Sequence, residues 1–473
     1  MKISKKISTK QVPVLSSGLV QDKTSGQSDK PNLHSSNNNK KKKFPADEIS
    51  ILKFALPAII ENFLQMLVGF SDTFLVAHIG LSAVAAVSLA NNIITVYQAV
   101  FIALGTMISS LFARKLAEQM TDKIQELVNT AVKLTVIISV ALGLFSVILG
   151  QPISYLLGAR GAVLQQATTY LILVGGLIIL LGLMTTFGSF LRAKGDTKTP
   201  MNASFLANVI NLVLSATFIF RFHFGVLGSA LGAVLARFIG SVYLYRKLKN
   251  ERPTRNFFHV KLDRELLHLT FPAAAERLSM RLGDLAIMAL IISFGAPIFA
   301  GNAIGESITQ FNYMSVFGMA TVTVILVAQE YGKQNGKNIQ KYIKQTYWLA
   351  SFMMFIVSFA IFAASPLLNR LFTTDKIAAQ ASTTVILFSL LATFFVAGTT
   401  TYTAAFQGVG NARLPFYTTT LGMFGVRLAL GALFAYFLHL GLEGVWLGVL
   451  LDNLFRFVFL KVKFDQFIKS KLS

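Results

Sequence analysis

The chain has 473 residues, 54% hydrophobic and only 14% charged, with a mean hydropathy of +0.61. Soluble domains carry about 25% charged residues, so a soluble enzyme or binding module is excluded. The net charge of +22 comes from 43 basic and 21 acidic residues gathered in alternate loops and at the ends, which is not a nucleic-acid footprint, and the absence of cysteine excludes disulfide, thiol and Cys–metal chemistry.

Residues 1–47 are polar, rich in Ser, Asn and Lys, and end near the basic run Lys40 to Lys43. They read as a disordered basic cytoplasmic tail, and no cleavable signal segment is visible. Twelve apolar spans follow. Residues 48–246 form an N-terminal six-helix lobe with spans near 50–76, 82–112, 130–150, 163–189, 200–220 and 226–246. A basic cytoplasmic linker covers 247–265. Residues 266–465 form a C-terminal lobe with spans near 266–293, 299–329, 344–365, 378–406, 414–437 and 443–462, and 466–473 form a short cytoplasmic tail. Uncharged runs such as 134–159 and 161–191 exceed the roughly 20 residues that a bilayer span needs. Their length points to helices, because barrel strands alternate in short segments. Eighteen Lys and Arg fall in loops 2–3, 4–5, 6–7, 8–9 and 10–11. The opposite loops hold only four, Arg160, Arg221, Arg370 and Lys376. That bias places both termini in the cytoplasm of a multi-pass protein of the plasma membrane.

The two lobes repeat one pattern. Pro57, Glu61, Gly80, Gly195 and Pro200 recur 215 residues later as Pro272, Glu276, Gly295, Gly410 and Pro415. Gly228 and Gly232 recur as Gly444 and Gly448 at an offset of 216. Six spans return the chain to the same side, so the halves insert in the same orientation. Such a parallel repeat marks a transporter with its site between the halves.

The stretch LPAIIENFLQMLVGFSDTFLVAHIG (56–80) resembles the first helix of multidrug and toxic compound extrusion (MATE) transporters, of the MOP superfamily. FLRAKGDTKTPMNA (190–203) resembles their loop between helices 4 and 5, NLVLSATFIFRFHFGVLGSALG (211–232) their helix 5–6 passage, and AGNAIGESITQFNYMSVFG (300–318) their helix 8. The likeness runs from about residue 48 to 465. It implies an all-α antiporter of twelve helices in two parallel six-helix repeats. Such a protein expels lipophilic, often cationic, compounds in exchange for protons or sodium ions.

Charges inside a bilayer cost about 2.5–3.5 kcal/mol on insertion scales and default to function. Asp72 lies in an apolar stretch with no cation near it in sequence. A carboxyl group in such a setting holds a proton more readily than in water, and the resemblance places Asp72 on the family's helix 1 ion-coupling carboxylate. The alternative is a carboxylate that only bonds neighbouring helices. Asn208 and Asn211 share a face of helix 5. The resemblance puts Asn211 beside the helix 1 carboxylate, while Ser215 stands where archaeal-type members carry a second aspartate. The region 393–408 lacks the helix 10 aspartate of the sodium-linked branch. A lone buried carboxylate fits protons better than sodium, which wants several oxygen ligands. Protons are therefore the expected coupling ion, with sodium the alternative, and no cofactor is expected.

Glu61 lies eleven residues before Asp72, on nearly the same helix face and about 16 Å away. Glu61, its repeat Glu276, and Glu306 on helix 8 are candidates for the wall of a substrate cavity; a hydrogen-bonding role in packing is the alternative for the first two. Arg281 and Asp284 at i, i+3, and Arg277 and Asp284 at i, i+7, are placed to meet on helix 7. Arg237, Arg427, Asp452 and Arg456 read as further pairs or as snorkelling side chains. Some of the 41 Phe and 13 Met suit a loosely specific greasy cavity. No phosphate-binding loop, metal-ligand spacing or catalytic constellation occurs. The expected partners are small lipophilic or cationic molecules and membrane lipid, with no nucleic acid, and the chain is expected to work as a monomer. A lipid-linked oligosaccharide flippase of the same superfamily and a non-transporting scaffold are the rival readings.

Overall fold

A computed structural model of the chain describes residues 48–249, 252–254 and 261–472. The expected N-terminal tail, residues 1–47, lies outside the described residues, as does part of the basic linker.

Apolar stretches with no polar backbone partner satisfy their own N–H and C=O groups by coiling, and the described chain is helix joined by tight turns. Helices α1 to α3 span Glu48–Ala77, Leu81–Ala117 and Thr121–Leu156. Helix α4 is a bent pair, Gly161–Gly175 and Ile179–Ala193, with an angle of 41°. Lys198–Arg221 is α5 and Val226–Lys247 is α6. The second half repeats the series. Helices α7 to α9 span Arg264–Ile292, Ala296–Gly332 and Gly336–Phe372. Helix α10 is again a bent pair, Lys376–Leu391 and Thr393–Gly408, at 55°. Arg413–Phe437 is α11 and Gly441–Lys471 is α12.

Eight of these helices are long and apolar enough to cross a membrane, and the two bent pairs bring the number to ten. The remaining two, α7 and α12, have the length, 29 and 31 residues, but carry Glu276, Arg277, Arg281 and Asp284, and Asp452 and Arg456. The fold is an all-α membrane bundle with a sixfold helix series used twice. Helix α3 runs further at both ends than its apolar run suggested, and α12 continues to Lys471, so residues 466–471 are helix. Ile468 is buried there, and Leu472 packs against Gly336.

The repeat is written in the backbone as well. Among the described residues every left-handed position outside 158–161 recurs in the other half: Gly80 with Gly295, Gln119 with Gln334, Gly195 with Gly410, His223 with His439, and Gly225 with Gly441. These are the turns that reverse the chain between helices, where side chains other than glycine rarely sit. Wide π-type turns close both α5, at Thr217–Arg221, and α11, at Leu433–Phe437.

Burial separates inner from outer helices. In the most apolar window, α2 is 72% buried and its repeat partner α8 is 67%, whereas α3 is 33% and α9 22%. Helices α2 and α8 are therefore the most enclosed of the long apolar helices, and α3 and α9 leave most of their surface uncovered. The halves meet where α2 ends and α7 begins. Arg114 pairs with Glu265, Lys115 pairs with Asp263 at 3.3 Å, and the Ser110 hydroxyl donates to the backbone carbonyls of Gln407 and Gly408 at 2.8 and 3.1 Å. Deeper in the bundle, Gly318 of α8 lies against the backbone of Ile59 of α1, where a Cβ would come within 2.8 Å of the Ile59 nitrogen. Backbone cannot move aside as a side chain can. Gly318→Ala should lower the thermal midpoint in detergent by the equivalent of about 1–3 kcal/mol. Gly69→Ala on α1, which has nothing within 4 Å of its added carbon, should raise it slightly through helix propensity. Equal midpoints for the two variants would contradict the close approach.

Candidate functional site: buried carboxylates of the two halves

Asp72 sits on the inner face of α1 and is 3% exposed. The Asn211 side-chain amide on α5 donates to its Oδ1 at 2.8 Å. The Ser215 hydroxyl, one turn further along α5, donates to Asn211 Oδ1 at 3.1 Å and lies 3.5 Å from the Ser229 carbonyl on α6. Asn211 and Ser215 are both buried. Ser215 and Asn211 form a chain of two neutral donors that ends on the Asp72 carboxylate. Small residues make it possible: Gly232 of α6 sits against Ser215, where a Cβ would lie 2.8 Å from the Ser215 nitrogen. Among the described residues no basic nitrogen approaches Asp72 within 4 Å. The charge of Arg237 on α6 is felt at Asp72, but the two are not paired.

Asn208 does not join this group. Its amide donates to the Leu64 carbonyl of α1 at 2.7 Å, a brace between α1 and α5. The shared face expected from its spacing to Asn211 is real, but one turn of separation is enough to give the two amides different partners.

Glu61 and Glu276 occupy equivalent places with different surroundings. Arg192, at the end of α4, donates to both Glu61 oxygens at 2.8 and 2.9 Å. The position equivalent to Arg192 is Gln407, which donates to Glu276 Oε2 at 3.1 Å, while Thr419 donates to Oε1 at 3.3 Å. Glu61 is thus an ion pair, and Glu276 is a buried carboxylate held by an amide and a hydroxyl. Arg192 and Gln407 were not singled out from sequence, although the offset of 215 that relates the two glutamates also relates these two partners.

Glu306 is exposed on α8, one turn beyond Asn302, and Asn302 accepts from Trp446 Nε1 at 3.0 Å. On α7, Arg281 reaches Asp284 only at 4.0 Å, and the closer partner is Arg427 of α11 at 3.4 Å. Arg277 makes no ion pair within 4 Å among the described residues, so the expected meeting of Arg277 with Asp284 does not form. Arg427 also grips Asp452 of α12 through Nε at 2.9 Å and Nη2 at 2.8 Å, and Arg456 reaches the same oxygen at 2.9 Å. Asp452 is fully buried. Among the described residues no cluster of three or more His, Asp or Glu is placed to hold a metal ion.

Comparison with known proteins adds the following. The family model described as MatE matches residues 57–217 and again 272–433. The chain is 28% identical over 425 residues to a protein of Thermotoga maritima named probable multidrug resistance protein NorM, covering 88% of this chain and 92% of that protein. It is 26% identical over 434 residues to the uncharacterized transporter YisQ of Bacillus subtilis, covering 88% and 93%. A solved outward-facing structure of a multidrug resistance MATE family transporter of the MOP superfamily superposes with a TM-score of 0.83 at 21% identity, over 90% of this chain and 97% of that one.

Proposed function

We propose that this chain, which belongs to the MatE family of membrane transporters, exports small lipophilic or cationic molecules in exchange for protons by alternating access of its two halves. The observation that carries the reading is Asp72: a carboxylate buried in α1 that, among the described residues, accepts from a neutral amide across to α5 and has no ion pair. A carboxylate without a paired cation can be neutralised by a proton at a small electrostatic cost. Protonation removes the negative charge of this pocket and turns one acceptor oxygen into a donor. With the proton on Oδ1 the Asn211 amide must turn its oxygen to the new O–H, and with the proton on Oδ2 it donates to a weaker, neutral acceptor; either way the α1–α5 contact changes. A proton and a cationic substrate then favour opposite arrangements of the halves, which is the thermodynamic content of exchange.

The printed name of the Thermotoga relative supports a drug-like substrate. The loop charges support cytoplasmic termini in a plasma membrane. One chain supplies both repeats, so we read the monomer as the working unit, with lipid around it and no nucleic acid partner. Sodium has less support, because the Asn211 amide faces Asp72 with its donor and leaves few oxygens converging on one point. The flippase reading is set aside. Relatives named as multidrug resistance and multidrug export proteins favour a drug-like substrate over a lipid-linked one.

The test is uptake of a fluorescent organic cation by proteoliposomes under an imposed gradient. A pH gradient should drive uptake with the sodium concentration equal on both sides. Uptake driven by a sodium gradient at equal pH, and not by protons, would overturn the coupling.

A further inference from the structure

We propose that Glu276 is a second proton-carrying carboxylate, built into the contact by which the two halves of the bundle meet. The inference rests on the proton-exchange reading and adds to it a site in the half that lacks a counterpart of Asp72, since the equivalent position there is Ile287.

The repeat supplies its own control. Glu61 and Glu276 are the same position on α1 and α7, and Arg192 and Gln407 are the same position at the ends of α4 and α10. In the first half the partner is a guanidinium that donates to both carboxylate oxygens. In the second half it is an amide, and the other oxygen receives a threonine hydroxyl. Glu276 is 4% exposed, so it is as deeply placed as Asp72; like Asp72 it accepts from a side-chain amide, and it accepts from a threonine hydroxyl as well. A fixed ion pair holds a carboxylate ionised; neutral donors leave it free to take a proton.

The charged groups around Glu276 do not replace the missing guanidinium. Arg277 follows it on α7 and its charge is felt at Glu276, but among the described residues the two do not come within ion-pair distance. Arg456 on α12 is bonded to Asp452 at 2.9 Å and to Asn453 at 3.3 Å, and Arg427 on α11 is bonded to Asp452 behind it. Arg413, at the start of α11, is exposed. Helix α2 presents Arg114 and Lys115, which are held by Glu265 and Asp263, and α8 presents Glu330, held by Lys333 at 2.6 Å.

Position gives the site its consequence. Gln407, which donates its side chain to Glu276, offers its backbone carbonyl to Ser110 of α2 in the other half. A line of hydrogen bonds therefore runs from α2 through Gln407 to Glu276. A proton arriving from water converts the carboxylate to the acid: with the proton on Oε1, Thr419 turns its hydroxyl to accept it, and with the proton on Oε2, Gln407 exchanges a donor for an acceptor or withdraws, so that the residue that carries the interhalf bond moves. When the halves separate, that bond breaks and the acid can return its proton to the side newly opened.

Proton release on substrate binding tests this directly. The purified full-length chain in weakly buffered detergent is mixed with a saturating fluorescent cation, and released protons are counted with a pH dye. Linkage between cation and proton predicts about two protons per chain for the unchanged protein and about one for Asp72→Asn. Glu276→Gln should also release about one. Gln407→Arg, which installs the first half's guanidinium and pins Glu276 in its ionised form, should match Glu276→Gln. It guards against a Glu276 variant that merely misfolds, and size-exclusion profiles and thermal midpoints accompany each measurement. If either folded variant releases as many protons as the unchanged chain, Glu276 is not a proton carrier, even where Asp72→Asn behaves as expected. If the unchanged chain releases none, the proton-exchange reading and this inference fall together.

Discussion

Asp72→Asn should insert, fold and bind a fluorescent cation, yet lose at least about tenfold of its gradient-driven transport, a change of about 1.4 kcal/mol or more in coupling. Asparagine keeps the shape of the side chain and an oxygen that can accept from Asn211, so the α1–α5 contact at 2.8 Å has a substitute. What it removes is the ability to change charge. The carboxylate is buried and unpaired, so its protonation is the one event in that pocket that alters both charge and hydrogen bonding. Asn208→Ala is the matched control. It deletes a bond from the same helix to α1, and should cost about 1 kcal/mol of stability while the coupled rate stays within twofold or so. The measurement is uptake into proteoliposomes under a fixed pH gradient, normalised to inserted protein. Normal coupled uptake by the Asp72 variant would remove the basis of the proposed mechanism.

The second large effect concerns stability. Asp452 has no exposed surface and accepts from two arginines, Arg427 on α11 and Arg456 on its own helix. Its other oxygen has no partner and lies against Gly422. Replacing the carboxylate by the isosteric amide in Asp452→Asn leaves Arg456, 4% exposed, without a counter-charge, and Arg427 with only the half-exposed Asp284 at 3.4 Å. Removing one partner of a buried ionic group typically costs about 3–5 kcal/mol, because the charge left behind is neither solvated nor paired. The thermal midpoint in detergent should fall sharply and the folded fraction with it. Asp284 belongs to the same network but is about half exposed, with a side-chain exposure of 49%, and exposed pairs contribute at most about 1 kcal/mol. Asp284→Asn should therefore be mild. Equal losses for the two variants would show that burial does not set the energetics of this cluster.

The two halves also differ in a way that bears on both experiments. Among the described residues the first half holds Asp72 without an ion pair beside small residues, and pairs its other buried acid, Glu61, with Arg192. The second half has no acid at the equivalent of Asp72, and places its strongest ion pairs between α7, α11 and α12. One ancestral arrangement of helices thus holds two different electrostatic solutions, related position by position.

The sequence by itself determined the class, the repeat and the helices, because these follow from local quantities. Runs of uncharged residues longer than a bilayer is thick must coil. A recurring glycine must mark a recurring left-handed turn, as Gly80 and Gly295 do, and a lone Asp72 in such a run stands out without any knowledge of its neighbours. Partnership was decided only in three dimensions. Arg281 is three residues from Asp284, yet Arg427 comes closer from 143 residues away. Glu61 meets an arginine and Glu276 a glutamine, each 131 residues distant. Asn208 and Asn211, on one face of one helix, bond to different targets. Which side chains meet inside a bundle depends on how far each helix is rotated about its axis and slid along it. Those two numbers are set by the packing of every helix against the others, and no single stretch of chain contains them.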